Sequence, residues 1–176
     1  MADAVGCALA GQNTPQGYYN GGHLRSLEVD IESDRPTADP DLSSLANWIE
    51  AGDMLTSHAT LKRGEVQLTI RHSDLIDPKA FVSSVGAFPA VYAGRLKVLS
   101  SHHSFDLLPA ATSKTTVTAY MQSAIGDARR VLAIGDSGEP GGNDSELLDR
   151  PPSISVDGVC GHLDGSWSIF GRSATG

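Results

Sequence analysis

Four side chains between residues 114 and 144 could act together on one anion. Lys114 follows Ser113, Asp136 closes the apolar run Val131-Leu132-Ala133-Ile134 after one glycine, and Asn143-Asp144 follows the glycine-rich stretch Gly138–Gly142. A carboxylate at the end of an apolar strand stands at the rim where open α/β sheets bind ligands. Placed before a turn too glycine-rich to obstruct it, Asp136 suits a hard cation such as Mg2+. Ser113 can cap a helix, and Lys114 in its first turn adds charge where backbone amides and the helix dipole already favour an anion. Phosphate is the expected anion, and Asp144 returns to the same rim.

Two rival chemistries compete for this stretch. Gly135-Asp136-Ser137-Gly138 matches the nucleophile loop of trypsin-like proteases, with Ser137 as the attacking group. Such an enzyme needs a histidine base and a buried aspartate on an all-β double barrel of about 200 residues or more. None of the six histidines stands in an Ala-Ala-His-Cys setting, and a helix follows Ser137. The other rival is plain turn chemistry, which favours aspartate beside glycine. Lys114, Asp136 and Asn143-Asp144 in this order favour the ligand site over both.

The elements that would position these groups fall into three stretches. Residues 1–23, including the polar, glycine-rich GQNTPQGYYNGG (Gly11–Gly22), read as a flexible leader. Residues 24–110 read as a small α+β layer. Its strands are LRSLEVDI (Leu24–Ile31), EVQLTIRH (Glu65–His72) and a strand with hairpin return over Arg95–Pro109. Its two helices are LSSLANWIEAG (Leu42–Gly52), capped by Asp41, and KAFVSSVGAF (Lys79–Phe88), opened by Asp77-Pro78. Residues 111–176 alternate helix and strand, and RVLAI (Arg130–Ile134) and SISV (Ser153–Val156) have the continuous apolar character of doubly buried parallel strands. WSIFG (Trp167–Gly171) is expected to cover that sheet, and Trp48 and Trp167 to serve as core or interface residues.

Composition narrows the partners. A formal charge of −8 over 176 residues argues against nucleic acid or an anionic membrane, both of which reward clustered Lys and Arg. Cys7 and Cys160 have neither disulfide-framework nor zinc spacing, so a reducing cytoplasm is expected. The first ten residues lack the basic start of a signal peptide, and no apolar run approaches the roughly 20 residues that span a bilayer.

Ser113-Lys114 and, after a strand, IGDSGEPGGNDSELL (Ile134–Leu148) resemble the third and fourth motifs of the haloacid dehalogenase (HAD) superfamily of Mg2+-dependent phosphatases. The similarity is greatest to the branch with a large α/β cap between the second and third motifs, which includes sucrose-phosphate phosphatases. The resemblance implies a partial Rossmann-like core over 111–176 with a parallel sheet, and an α+β cap of antiparallel strands and helices over 24–110. It implies that Lys114 steadies the phosphoryl charge, that Asp136 binds Mg2+, and that Asn143 and Asp144 are the paired residues of the fourth motif, with Lys114 and Asp144 catalytic and Ser113, Lys114 and Asn143 at the substrate. SGEPGG (Ser137–Gly142) is an insertion relative to the family spacing, which leaves the role of Asp144 open. The family's Asp-x-Asp-Gly-Thr nucleophile loop is missing: Asp30 and Glu32 in LEVDIESDRPT lack the glycine, the threonine and the apolar run. The expected protein is a phosphohydrolase of small phosphorylated metabolites, truncated and inactive alone. The alternative is a non-catalytic scaffold that binds a phosphorylated ligand or a partner chain. An exposed sheet edge left by the missing strands favours self-association, and the missing half of the site leaves room for a partner chain that supplies it.

The histidines allow two further readings. His72, His102, His103 and Asp106 could form a transition-metal site, but their spacing fits no ligand pattern, and adjacent strand residues point to opposite faces. In capped relatives the cap faces the phosphate, so the resemblance implies that Arg71, His72 and His103 contact a sugar-like leaving group.

Overall fold

The computed structural model describes residues 5–6, 15–26, 36–52, 59–73, 77–101, 103–125, 131–159 and 165–168. Asp30, Glu32, His102 and both cysteines lie outside the described residues. The chain divides into two compact units, one formed by 1–30 with 112–176 and the other by 31–111.

The 31–111 unit is a four-stranded antiparallel sheet with helices packed against it. Helix α1 (Pro40–Ala51) is capped by Asp39, whose Oδ1 accepts from the amides of Asp41 and Leu42 at 2.8 and 3.1 Å. The cap is therefore Asp39 and not Asp41, because Pro40, with its fixed φ and no amide hydrogen, takes the first helical position. Asp41 instead pairs with Arg95 at 2.7 Å. The Arg95 hydrogen bond and charge hold the Asp41 carboxyl below its usual range. Strand β4 (Ala59–Arg63) pairs with β5 (Leu68–His72), which is shorter than its alternating pattern indicates because Gly64 donates to the Gln67 carbonyl and makes the preceding residues a turn. β4 itself has no strong signal, since ATLKR carries two cations on an exposed edge. Helix α2 (Pro78–Gly86) is capped by Asp77 as its sequence indicates, and the short α3 (Pro89–Tyr92) follows. The Arg95–Pro109 hairpin appears as β6 (Leu96–Ser100) and β7 (Ser104–Pro109), giving the order β4-β5-β7-β6. One side of this sheet and the helices enclose Leu42, Leu45, Ile49, Leu68, Ile70, Phe81, Val85, Phe105 and Leu107.

In the other unit, β1 (Val5–Gly6), β2 (Pro15–Tyr18) and β3 (His23–Ser26) form an antiparallel sheet. Residues 15–23 are thus a hairpin grouped with the C-terminal segment, where composition predicts a flexible leader; the pairing of Tyr18 with His23 brackets a turn that only Asn and Gly favour. Helix α4 (Thr115–Ile125) precedes β8 (Ala133–Ser137), and the short α5 (Ser145–Leu148) precedes β9 (Ser153–Gly158). β8 and β9 run parallel, as their sequences indicate, and β10 (Trp167–Ser168) joins β9 as a third parallel strand. The WSIFG segment thus extends the sheet at Trp167–Ser168 instead of covering it.

The strands are not doubly buried. Ala133, Ser137, Ser153 and Ser155 are buried on one side, whereas Ile134 is 58% and Trp167 78% exposed on the other. Ile134 and Trp167 both stand beside Ile154 in register, so the outward side carries an apolar row. Among the described residues no helix is long and apolar enough to cross a membrane.

Candidate functional site

Four positions converge where β8 ends. The Ser113 hydroxyl accepts from the Thr115 amide at 3.1 Å, and its carbonyl accepts from Thr116 N, so the first turn of α4 is locked at the residue before Lys114. The Lys114 ammonium donates to Asp144 Oδ1 at 2.5 Å, with side-chain exposures of only 13% and 9%. The second oxygen of Asp144 accepts from the backbone amide of Asp136 at 2.9 Å. Asp144 is therefore a bridge: one oxygen fixes the lysine, and the other fixes the strand end that carries Asp136.

This crossing requires a glycine. A Cβ on Gly135 would lie 2.6 Å from Asp144 Oδ2, well inside contact distance. A glycine within an otherwise apolar strand is itself the sequence signal of such a close approach.

Burial alone would raise the Asp144 carboxyl, but the Lys114 charge and hydrogen bond, with hydrogen bonding from Asp136, outweigh it and hold the group below its ordinary value. Asp144 is therefore a carboxylate at neutral pH with both oxygens engaged. Asp136 is exposed, and one of its oxygens accepts from the Ser137 hydroxyl at 3.2 Å. Ser137 is buried at 4% exposure, which keeps its hydroxyl from a substrate and argues against its acting as a nucleophile. Asn143 Oδ1 is buried without a hydrogen-bond partner.

Among the described residues no three His, Cys, Asp or Glu side chains gather to hold a metal ion. Asp136 thus offers a single hard-oxygen ligand at a solvent-open rim. That donor set fits Mg2+, which commonly keeps several waters and binds through one or two carboxylates plus substrate phosphate. It does not fit zinc or copper, which prefer nitrogen or sulfur donors.

Arg71, His72 and His103 lie in the 31–111 unit and do not present one surface. Arg71 is exposed, whereas the His72 ring stacks on Phe105 at 4.5 Å on the core side, with Nδ1 3.1 Å from the Ser73 carbonyl and Nε2 buried without a partner. Adjacent strand residues face opposite ways, so Arg71 and His72 cannot share a ligand from one face of β5. His103 is exposed in the β6–β7 turn, where its carbonyl accepts from the His72 amide, and Asp106 accepts from the Thr69 hydroxyl.

No family model and no curated protein matches the chain. Solved structures do match. The sucrose phosphatase of Synechocystis, in complex with sucrose and phosphate, is 16% identical with a TM-score of 0.50, covering 77% of this chain and 56% of that one. A sugar phosphatase of HAD subclass IIB is 13% identical with a TM-score of 0.53, covering 77% of this chain and 61% of that one. A truncated IMP-nucleotidase from Plasmodium falciparum is 11% identical with a TM-score of 0.50, over 81% of this chain and 44% of that one. The chain therefore spans less than two thirds of the length of these structures. At such identities the likeness is one of fold, and the fold is the α/β type of HAD phosphatases with a cap.

Proposed function

We propose that on this HAD-type fold the chain carries the phosphate- and metal-binding half of a Mg2+-dependent phosphohydrolase for a small phosphorylated metabolite, a sugar phosphate being the class its structural relatives favour. The observation that carries this reading is the continuous link from Lys114 through the Asp144 carboxylate to the Asp136 amide. A lysine already tethered at low exposure needs no reorganisation when an anion arrives, which is the condition for effective electrostatic stabilisation. Asp136 would hold the Mg2+, which, when bound, neutralises charge on phosphoryl oxygens. Lys114 would neutralise the remaining charge and Asp144 would keep it aimed. The unpartnered oxygen of Asn143 would orient a donor on the ligand, and Ser113 would support the helix end facing the anion. A reducing cytoplasm is the proposed location, on cysteines that lack disulfide spacing.

Attack on phosphorus needs a nucleophile that positioning groups do not supply. The Asp-x-Asp-Gly-Thr sequence occurs nowhere in the 176 residues. The chain by itself is therefore expected to release no phosphate from sugar phosphates in Mg2+, and to show no response to beryllium fluoride, which mimics a phosphorylated aspartate. Turnover that Asp136→Asn abolishes would overturn the inactivity while keeping the site.

One observation favours the second reading, a binding scaffold completed by another chain. Leu132, Ile134, Val156 and Trp167 leave the outward side of the parallel sheet apolar and exposed, an unusual surface for a lone chain. Light scattering should report self-association, and a monodisperse monomer would count against it.

A further inference from the structure

The β2–β3 hairpin touches the lysine loop through a residue without a side chain. Its turn is left-handed at Asn20 (φ 54) and Gly21 (φ 86). A Cβ on Gly21 would overlap the Ser113 carbonyl oxygen and lie 2.7 Å from the Ser113 carbonyl carbon and 3.1 Å from Lys114 Cα. These are backbone atoms, so no rotamer change relieves the overlap. The same Ser113 oxygen accepts the Thr116 amide at 3.0 Å in the first turn of α4. Displacing it moves the helix start and the Lys114 backbone together.

We propose that Gly21 is a positioning residue for the anion site: the bare turn seats against Ser113–Lys114 and fixes the ammonium where Asp144 and an incoming phosphate share it. This rests on the phosphate reading for its ligand, but the positioning of Lys114 stands on the close approach itself. Close packing transmits such a displacement, because interiors have little free volume to absorb it. The Lys114–Asp144 hydrogen bond depends on sub-ångström placement, so it breaks first.

Gly21→Ala and Gly21→Asn test this against Gly94→Ala. Gly94 also has a positive φ, +70, but an added Cβ there meets nothing within 4 Å, so it reproduces the backbone cost without the collision. Asn tolerates the left-handed region better than Ala, so Gly21→Asn keeps the collision with less strain. Two readouts apply: the 1H–15N signal of the Lys114 ammonium, which an ion pair protects from exchange, and the affinity for inorganic phosphate with Mg2+ by calorimetry. Both Gly21 variants should lose the ammonium signal and bind phosphate at least tenfold more weakly, whereas Gly94→Ala should change neither. An intact Lys114 signal and unchanged affinity in the Gly21 variants overturn the proposal and leave the phosphate reading standing. A wild-type chain that binds no phosphate, with the Lys114 signal still absent in the variants, overturns the phosphate reading and leaves the positioning role. Loss of fold in both Gly21 variants, with Gly94→Ala folded, also overturns the proposal, since Gly21 would then serve folding and not the lysine.

Discussion

The two units differ in what they bury beside apolar side chains. In the 31–111 unit the buried cluster is wholly apolar, from Leu42 on α1 to Phe105 and Leu107 on β7, and the charged pairs Arg63–Glu50 and Arg95–Asp41 lie at the surface. The other unit also buries apolar side chains, Val117, Met121, Leu147 and Leu148 among them, but adds polar ones. Among the described residues the buried polar side chains Thr112, Ser137, Asp144, Ser153 and Ser155 all belong to 112–176, while Leu132, Ile134 and Trp167 are exposed. Burying apolar area stabilises at about 25 cal/mol per Å2 and specifies nothing chemical, whereas burying a carboxylate is unfavourable unless it is paired. The first arrangement is an apolar scaffold, and the second keeps a carboxylate inside by pairing it with Lys114.

Truncating the apolar cluster should have the largest effect. Phe105 is fully buried between Phe81 and the His72 ring, and Phe105→Ala should destabilise the 31–111 unit by about 4 kcal/mol. Hydrogen exchange should accelerate across 59–109 with the Lys114–Asp144 pair unchanged. An equal loss of protection in β8 and β9 would break the contrast between the units.

Removing the buried partner comes next. Asp144→Asn leaves Lys114 without its counter-charge at 13% exposure, at a cost of about 3 kcal/mol to the other unit in denaturant titrations. The pH dependence sharpens this. The folded Asp144 carboxyl lies below its unfolded value, so its stabilisation is present above about pH 4 and is lost as pH falls through the folded value. The gap between wild type and Asp144→Asn should hold constant from pH 7 to 5 and narrow only in stronger acid. A gap that grows on acidification has the wrong sign for a charged Asp144.

Gly135→Ala should cost about 2 kcal/mol, because the new methyl group meets Asp144 Oδ2 at 2.6 Å and must push the bridge aside. The smallest effect is expected at the exposed pair of the apolar unit: Arg63→Ala should change stability by less than about 1 kcal/mol, although its bond to Glu50 is 2.5 Å. A larger loss there would mean that surface charge, and not the apolar cluster, holds that sheet.

Much of this was legible in the sequence where local chemistry decides. Asp77-Pro78 announces α2, the alternation at Leu68–His72 announces β5, and an apolar run ending in Gly135-Asp136 announces β8. The grouping of Lys114 with Asp144, thirty residues on, was readable only through the resemblance of their order to a known site, since pairing across the chain leaves no local trace. What stayed hidden depended on partners distant in sequence. ATLKR became a strand because β5 offered an open edge, not because its own residues favour one. GQNTPQGYYNGG reads as loop by composition, yet Pro15–Tyr18 pairs with His23–Ser26 because Asn20 and Gly21 tolerate the turn between them. Apolar runs at β8 and β9 imply cover on both sides, and residue type alone does not say which side stays open.

Calorimetric titration of inorganic phosphate into the chain, with and without Mg2+, in wild type and Asp136→Asn, bears most directly on the central claim. The Asp136 side chain is exposed, and the backbone amide by which it donates to Asp144 is kept in Asp136→Asn, so the substitution should leave the fold intact. Wild type should bind phosphate more tightly in Mg2+, and Asp136→Asn should bind it equally in both buffers. Phosphate binding that ignores Mg2+ in wild type, or a Mg2+ enhancement that survives in Asp136→Asn, would contradict a metal and phosphate site at the end of β8.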